Sequence, residues 1–269
     1  MKMERVEPSP GRFDFEAADR LVAFAEQAGA QVRGHTLVWG NQLPRWVTHP
    51  LRPWTKARLL EVERRYITAL VSHFRGRVAE WDVVNEATTS EGRLTSNIWL
   101  QVIGPEYIAR ALKWAHAADP RARLLLNDGG EAPGAKPSGI LRLARGLRRG
   151  GAPLDRIGIE THTTVGIAPS EDALRKVMTA YARIGLQTEI TEMDVIDRGP
   201  APAAQAHAYQ AAARACAATP SCVRFTVWGV ADPWSWRGAD AHALLLGPDY
   251  RPKPALDAVT GVLAIRPQG

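Results

Sequence analysis

The chain has 269 residues, 45 % of them hydrophobic and 23 % charged, with a net charge of +6 and no long block of one sign. That is enough apolar material for one sizeable core, and it excludes a disordered body. No run of 18 apolar residues occurs, which excludes a membrane-spanning helix. The basic residues lie scattered along apparent helices such as "LRLARGLRRG" rather than between stacking aromatics, so no nucleic-acid partner is expected. The excess positive charge reads first as solubility charge. It is also compatible with acidic partners such as uronic-acid-bearing polysaccharide, without identifying one. The N-terminal "MKMERVEPSPGRF" lacks the apolar core of a signal peptide.

Along the chain, apolar β-rich runs alternate with helical patterns. The first run, "VRGHTLVW", carries His35 and Trp39 at its end. A helix is predicted to begin at Thr55 as N-cap, to place Leu59, Leu60, Ile67, Leu70, Val71 and Phe74 on one stripe, and to stop at Gly76. "VAEWDVVNE" follows and ends in Asn85 and Glu86, and then "ARLLLND" ends in Asn127 and Asp128. "NDGGEAPGAKPSG" reads as a long loop. "RIGIETH" ends in Glu160 and His162, and a helix is predicted from Ser170, with two acids in its first turn, to Gly185. "QTEITEMDV" carries Glu192 and Asp194, an Ala-rich helix spans roughly Ala203 to Ala218, and "VRFTVWGV" closes on Trp228. Near-continuous apolar strands between helices imply parallel βαβ units, an α/β fold.

In an α/β barrel the C-terminal ends of the strands converge on one face, where the active site lies. Six strand ends bearing carboxylates, imidazoles and indoles point to a catalytic cleft rather than to core packing. Glu86 and Glu192 form the central pair. Two carboxylates flanking a glycosidic bond divide hydrolysis between a proton donor and a group that attacks the anomeric carbon. Asn85 beside the acid suits a sugar hydroxyl. Asp194 shares a strand face with Glu192 and is expected to orient His162, which in turn supports the nucleophile. Trp39, Trp228, Trp234 and Trp236, at or just after strand ends, offer indole faces for sugar stacking. Cys216 and Cys222 either bridge a short loop in an oxidising compartment or remain two thiols. Their spacing matches no zinc site, and neither a metal nor a cofactor is expected.

The stretches "EPSPGRFDF", "VRGHTLVWGNQLP", "WDVVNEA", "IGIETH", "TEITEMD", "FTVWGVADPWSWR" and "LLLGPDYRPKPA" resemble glycoside hydrolase family 10, the endo-1,4-β-xylanases, in the family's order and from the first residues to near the end. The resemblance implies a TIM-type (β/α)8 barrel spanning residues 1–269 as a single catalytic domain. It implies xylan or xylo-oligosaccharides as substrate, cleaved with retention, with Glu86 as acid/base and Glu192 as nucleophile. It places His35, Trp39, Gln42, Asn85 and His162 around the central sugars, with Glu160 expected to bind substrate beside them, makes Trp228 and Trp236 a hydrophobic wall, and makes Lys2 a glycone-binding lysine. It further implies a Cys216–Cys222 disulfide and a secreted or periplasmic location, although this chain shows no signal peptide.

Several departures accompany the match. The chain starts inside the motif usually read E-N-E-M-K-W, so an incomplete barrel lacking the first strands and first helix is expected, with a homodimer as one way to cover the open edge. Gly40 stands where His is usual, Glu160 where Gln is usual, and Gly129–Gly130 where Tyr-Asn is usual. A third carboxylate at Glu160 would tend to raise a neighbour's pKa. Two other readings stand beside the xylanase: a weakly active or non-catalytic xylan-binding derivative, and a hydrolase of another β-linked glycan or aryl glycoside.

Overall fold

A computed structural model describes residues 1–199 and 201–264. The chain divides into two compact units, one of Met1–Asp128 with Arg142–Arg156, the other of Gly129–Leu141 with Ile157–Gly269.

The first unit opens with the short helix α1 (Met3–Val6) and helix α2 (Glu16–Gln27), then strand β1 (Val32–Val38). After the one-turn helix α3 (Arg45–Thr48) comes the long α4 (Lys56–His73), followed by β2 (Val78–Asn85), α5 (Ile98–Val102), α6 (Glu106–Ala118) and β3 (Arg123–Asp128). As the residue pattern predicts, Thr55 caps α4 by accepting from the Arg58 amide at 3.3 Å, and Gly76 ends the region at φ +76°, a left-handed conformation that glycine adopts without steric cost. The three strands lie in the order β1-β2-β3, and both pairings are parallel. Val83, Leu124, Leu125 and the α4 residues Leu59, Ile67 and Leu70 are fully buried. Gly34 sits opposite Trp81 in the β1–β2 register. A Cβ there would lie 2.2 Å from the indole, so only glycine lets this large ring fill the space over β1.

Helix α7 (Ala135–Arg149) begins inside the stretch "NDGGEAPGAKPSG". The expected long loop is therefore shorter than the Gly/Pro content suggests. Pro137 lies in the first turn, where a missing N–H leaves no intrahelical bond unmade.

The second unit contains β4 (Arg156–Ile159, from its second residue on), β5 (His162–Thr164), α8 (Glu171–Ala182), β6 (Gln187–Ile196), α9 (Pro202–Ala217), β7 (Cys222–Val227), the short 3-10 turns at Asp232–Trp234 and Ala239–Ala241, and α10 (Pro254–Leu263). The run "RIGIETH" is thus split, with Thr161 at φ +62° between its two segments. Strand β6 is the centre, paired with β4 and β5, and with β7. It is buried from Thr188 through Val195. Ser170 caps α8, accepting from the Ala173 amide at 3.2 Å. Helix α9 buries alanines and Tyr209, and its small side chains let α8 and α10 pack close. Cys216 and Cys222 are joined as a disulfide that ties the end of α9 to the first residue of β7.

Candidate active site

In the first unit, Glu86 leaves the end of β2 at φ +51°. A non-glycine residue held there costs of order 1–3 kcal/mol and persists only where its surroundings over-determine it. The Glu86 amide donates to the Asn127 carbonyl at 2.9 Å, and the Thr95 amide donates to the Ala87 carbonyl at 2.9 Å. Asp128 clamps the outgoing loop by accepting from the Thr88 amide and hydroxyl at 2.8 and 2.9 Å. The buried Asn85 accepts from the Asn127 amide group at 2.8 Å, which turns its own Nδ2 toward Glu86 Oε1 at 3.5 Å.

His35, midway along β1, is held from both sides. Its Nδ1 lies 2.7 Å from Asp82 Oδ2, and its Nε2 lies 2.7 Å from Lys2 Nζ. An ammonium can only donate, so Nε2 accepts and Nδ1 carries the proton to Asp82. Asp82 is fully buried. Burial pushes its carboxyl up, but Arg33 at 3.1 Å, His35 and Lys2 outweigh that and hold it below the usual carboxylate range. The Lys2 ammonium also sits 4.1 Å from the centre of the Trp39 ring, whose backbone carbonyl accepts from the Trp99 indole at 2.8 Å. Gln42, exposed and at φ +49°, is braced by α1: its carbonyl accepts from the Glu4 amide at 3.1 Å, and its side-chain amide donates to the Glu4 carboxylate at 3.2 Å. Lys2, His35, Trp39, Asn85 and Glu86 are thus each fixed by polar contacts on or beside β1 and β2.

In the second unit the nucleophile candidate Glu192 is buried on β6. Its amide donates to the Glu160 carbonyl at 3.1 Å, which brings the two residues side by side. His162 Nε2 lies 3.2 Å from Glu192 Oε2, and His162 Nδ1 lies 2.8 Å from Asp194 Oδ2. Asp194 is fully buried and accepts two further bonds, from the Trp236 indole at 2.7 Å and from Arg237 Nε at 3.1 Å. The imidazole meets the Trp236 ring edge-on at 4.9 Å. Burial disfavours the imidazolium, but the Asp194 and Glu192 carboxylates outweigh it and push His162 up to about 9. At neutral pH both ring nitrogens therefore donate, one to Asp194 and one to Glu192. Trp228, at the end of β7, is half-buried, with its amide on the Met193 carbonyl at 3.0 Å. Trp234 and Trp236 remain 75 % and 57 % exposed, leaving indole faces for a ligand.

Three contributors carried no recognised role in the sequence. Asp82 lies inside the apolar run "VAEWDVVNE", where a charged residue in a doubly covered strand is itself a usable signal. Arg237 and Glu131, which accepts from the Thr161 and Gly130 amides at 3.2 Å each, lie in irregular segments where spacing carries no such information.

Residues 1–262 match the family profile described as Glycosyl hydrolase family 10. This chain belongs to glycosyl hydrolase family 10. Among its relatives, endo-1,4-β-xylanase B of Thermotoga neapolitana is 39 % identical, over 96 % of this chain and 77 % of that protein. The endo-1,4-β-xylanase of Agaricus bisporus is 37 % identical, over 88 % of this chain and 71 % of that protein. The crystal structure of xylanase 10B from Thermotoga petrophila in complex with xylobiose matches with a TM-score of 0.94 at 38 % identity, covering 98 % of this chain and 83 % of that one. The fold class is that of the family, a TIM-type (β/α)8 barrel in incomplete form. The described residues supply six strand positions, with β4 and β5 sharing one, where the full barrel has eight. The family 10 chain also explains one of its departures. A Cβ on Gly40 would stand 2.9 Å from the Asn97 Cβ, so the side chain of Asn97 occupies the space that a histidine at position 40 would need.

Proposed function

We propose that this family 10 chain is an endo-1,4-β-xylanase that cleaves internal β-1,4-xylosidic bonds of xylan with retention. The observation that carries the reading is the Glu192–His162–Asp194 chain, extended by Trp236 and Arg237. It fixes the direction of a buried carboxylate, and a fixed, aimed carboxylate is what attack on an anomeric carbon requires. In the first step Glu192 attacks that carbon while Glu86 gives its proton to the leaving oxygen, and the bond to the aglycone breaks as the glycosyl–Glu192 ester forms. In the second, Glu86 takes a proton from water, which attacks the same carbon and frees Glu192. Asn85 is suited to a hydroxyl of the sugar bound there. Lys2, His35, Trp39 and Gln42 take the glycone side in this reading, and Trp228 and Trp236 form the apolar wall.

Product analysis tests it. The wild-type chain should release reducing ends and short oligosaccharides from xylan, and Glu192→Ala should abolish that release. Unchanged release by Glu192→Ala would refute the assignment. Proton NMR of the first product should show the β-anomer, and the α-anomer would contradict retention. The Cys216–Cys222 disulfide supports a secreted or periplasmic location, because such bonds persist in oxidising compartments. Recovery of the protein only from the reduced cytosol would argue against it.

A further inference from the structure

Within the first unit, the connection between β1 and α4 builds a groove of about 1080 Å³ together with Pro8–Pro10 and the first turns of α4. That volume lies just above the usual range for small-ligand sites, about 300–1,000 Å³. Two indoles form its fixed wall. Trp46 donates its N–H to the Glu7 carbonyl at 3.0 Å, Trp54 donates its N–H to the Val47 carbonyl at 2.9 Å, and the rings meet edge to face at 6.3 Å. With both N–H groups used by the backbone, each half-buried ring has only its apolar surface left to offer a ligand.

The charge of the groove is one-sided. Its sole lining carboxylate, Glu61, is taken up by Arg64 through two bonds of 3.1 and 3.0 Å. Arg65 in turn is taken up by Glu7 at 2.5 Å. Arg45, Arg52 and Arg58 remain exposed, and among the described residues none of the three has a carboxylate partner. The Arg58 guanidinium instead lies 5.0 Å from the centre of the Trp54 ring. Guanidinium forks match carboxylates in bidentate geometry, and indole faces match the apolar faces of pyranose rings. The groove is also continuous in sequence with Trp39 and Gln42, and α1 with the residues after it braces both, through Glu4 on Gln42 and Glu7 on Trp46. A polymer serving Trp39 and Gln42 is therefore the natural occupant.

We infer that this groove is a second saccharide site, which takes a xylan segment bearing uronic-acid side groups, with the indoles stacking on sugar rings and Arg45, Arg52 and Arg58 receiving the carboxylates. The inference rests on the proposed xylanase activity for the identity of the polymer. It adds a preference for acidic xylan that the catalytic carboxylates do not supply.

The test is affinity electrophoresis of the Glu192→Ala chain through gels containing glucuronoxylan or the same polymer after carboxyl reduction. Retention by glucuronoxylan should be about tenfold stronger, the sum expected of three exposed ion pairs, and should weaken in high salt. The triple variant Arg45→Ala, Arg52→Ala, Arg58→Ala should erase the difference between the two polymers while its circular dichroism matches the parent's. Equal retention of both polymers by the parent, or a difference that survives in the triple variant, overturns the inference. Single-stranded DNA displacing glucuronoxylan at equal or lower charge concentration also overturns it, in favour of a nucleic-acid groove. Reducing-end release from unsubstituted xylohexaose by the wild-type chain is scored separately. Its absence sinks the proposed activity without altering the electrophoretic result.

Discussion

Replacing Asp194 with asparagine removes the charge that most strongly sustains His162. Burial, the largest single effect, lowers the imidazole, but Asp194 and Glu192 together outweigh it and raise it from 6.5 to about 9, with Asp194 ahead of Glu192 in both hydrogen bonding and Coulomb attraction. At about 1.36 kcal/mol per pH unit, that rise is roughly 3 kcal/mol of preference for the imidazolium, on a side chain only 18 % exposed. The sign follows from the raised value. The stabilisation is fully present below 6.5 and is lost as pH climbs through about 9. In Asp194→Asn, His162 should fall by roughly 1–2 pH units, and the pH window of stability loss should move down with it. Nitrogen-15 NMR of labelled histidines gives the pKa directly, and urea unfolding between pH 6 and 10 gives the linked stability. Activity on xylan should drop and lose its alkaline side first, as the neutral imidazole ceases to donate to Glu192. A His162 pKa unchanged in the variant, or wild-type stability that stays flat from pH 6.5 to 10, would refute the reasoning.

Other perturbations follow from the same geometry. Glu86→Ala should slow xylan hydrolysis by roughly 10²–10⁴-fold, while a dinitrophenyl xylobioside, whose leaving group needs no proton, should be cleaved with far less loss in its first step; equal losses on both substrates would remove Glu86 from the acid role. Replacing Cys216 and Cys222 together by alanine opens a link across six residues and should lower stability by about 2 kcal/mol on the loop-entropy argument, read by denaturant midpoint. Glu63 is buried on α4 with neither carboxylate oxygen hydrogen-bonded, and burial pushes it well above the usual range despite the pull of Arg110. A carboxyl raised in the folded state loses its contribution as pH rises above the unfolded value, so Glu63→Met should stabilise the chain by about 1–3 kcal/mol, more at pH 8 than at pH 4. Destabilisation at pH 8 would show that Glu63 has a partner worth keeping.

The strands and the strand-end carboxylates were legible because each depends on a short local pattern. Apolar runs such as "ARLLLND" show the near-continuous character of strands covered on both faces, and period-2 spacing put Asp194 beside Glu192. The caps at Thr55 and Ser170 were readable for the same reason, since a hydroxyl three residues before a backbone amide is a local event. Helix α7 was partly missed because Gly and Pro in "NDGGEAPGAKPSG" read as loop, although Pro137 is tolerated in a first turn. Among contacts between residues distant in sequence, the Glu192–His162–Asp194 chain was anticipated because each member ends a strand run, but others escaped. Arg237 on Asp194 and Lys2 on His35 depend on where irregular segments return, and no periodicity encodes that. Family resemblance supplied Lys2 and Gln42, and the coordinates then gave each its neighbours.

Trapping the covalent intermediate tests the central claim most directly. Incubation with a 2-deoxy-2-fluoro-xylobioside carrying a good leaving group should add one fluoroxylobiosyl unit to the protein, and peptide mass spectrometry should locate it on Glu192. An adduct on Glu160 or any other residue, or steady turnover with no adduct, would contradict the assignment of Glu192 as the nucleophile.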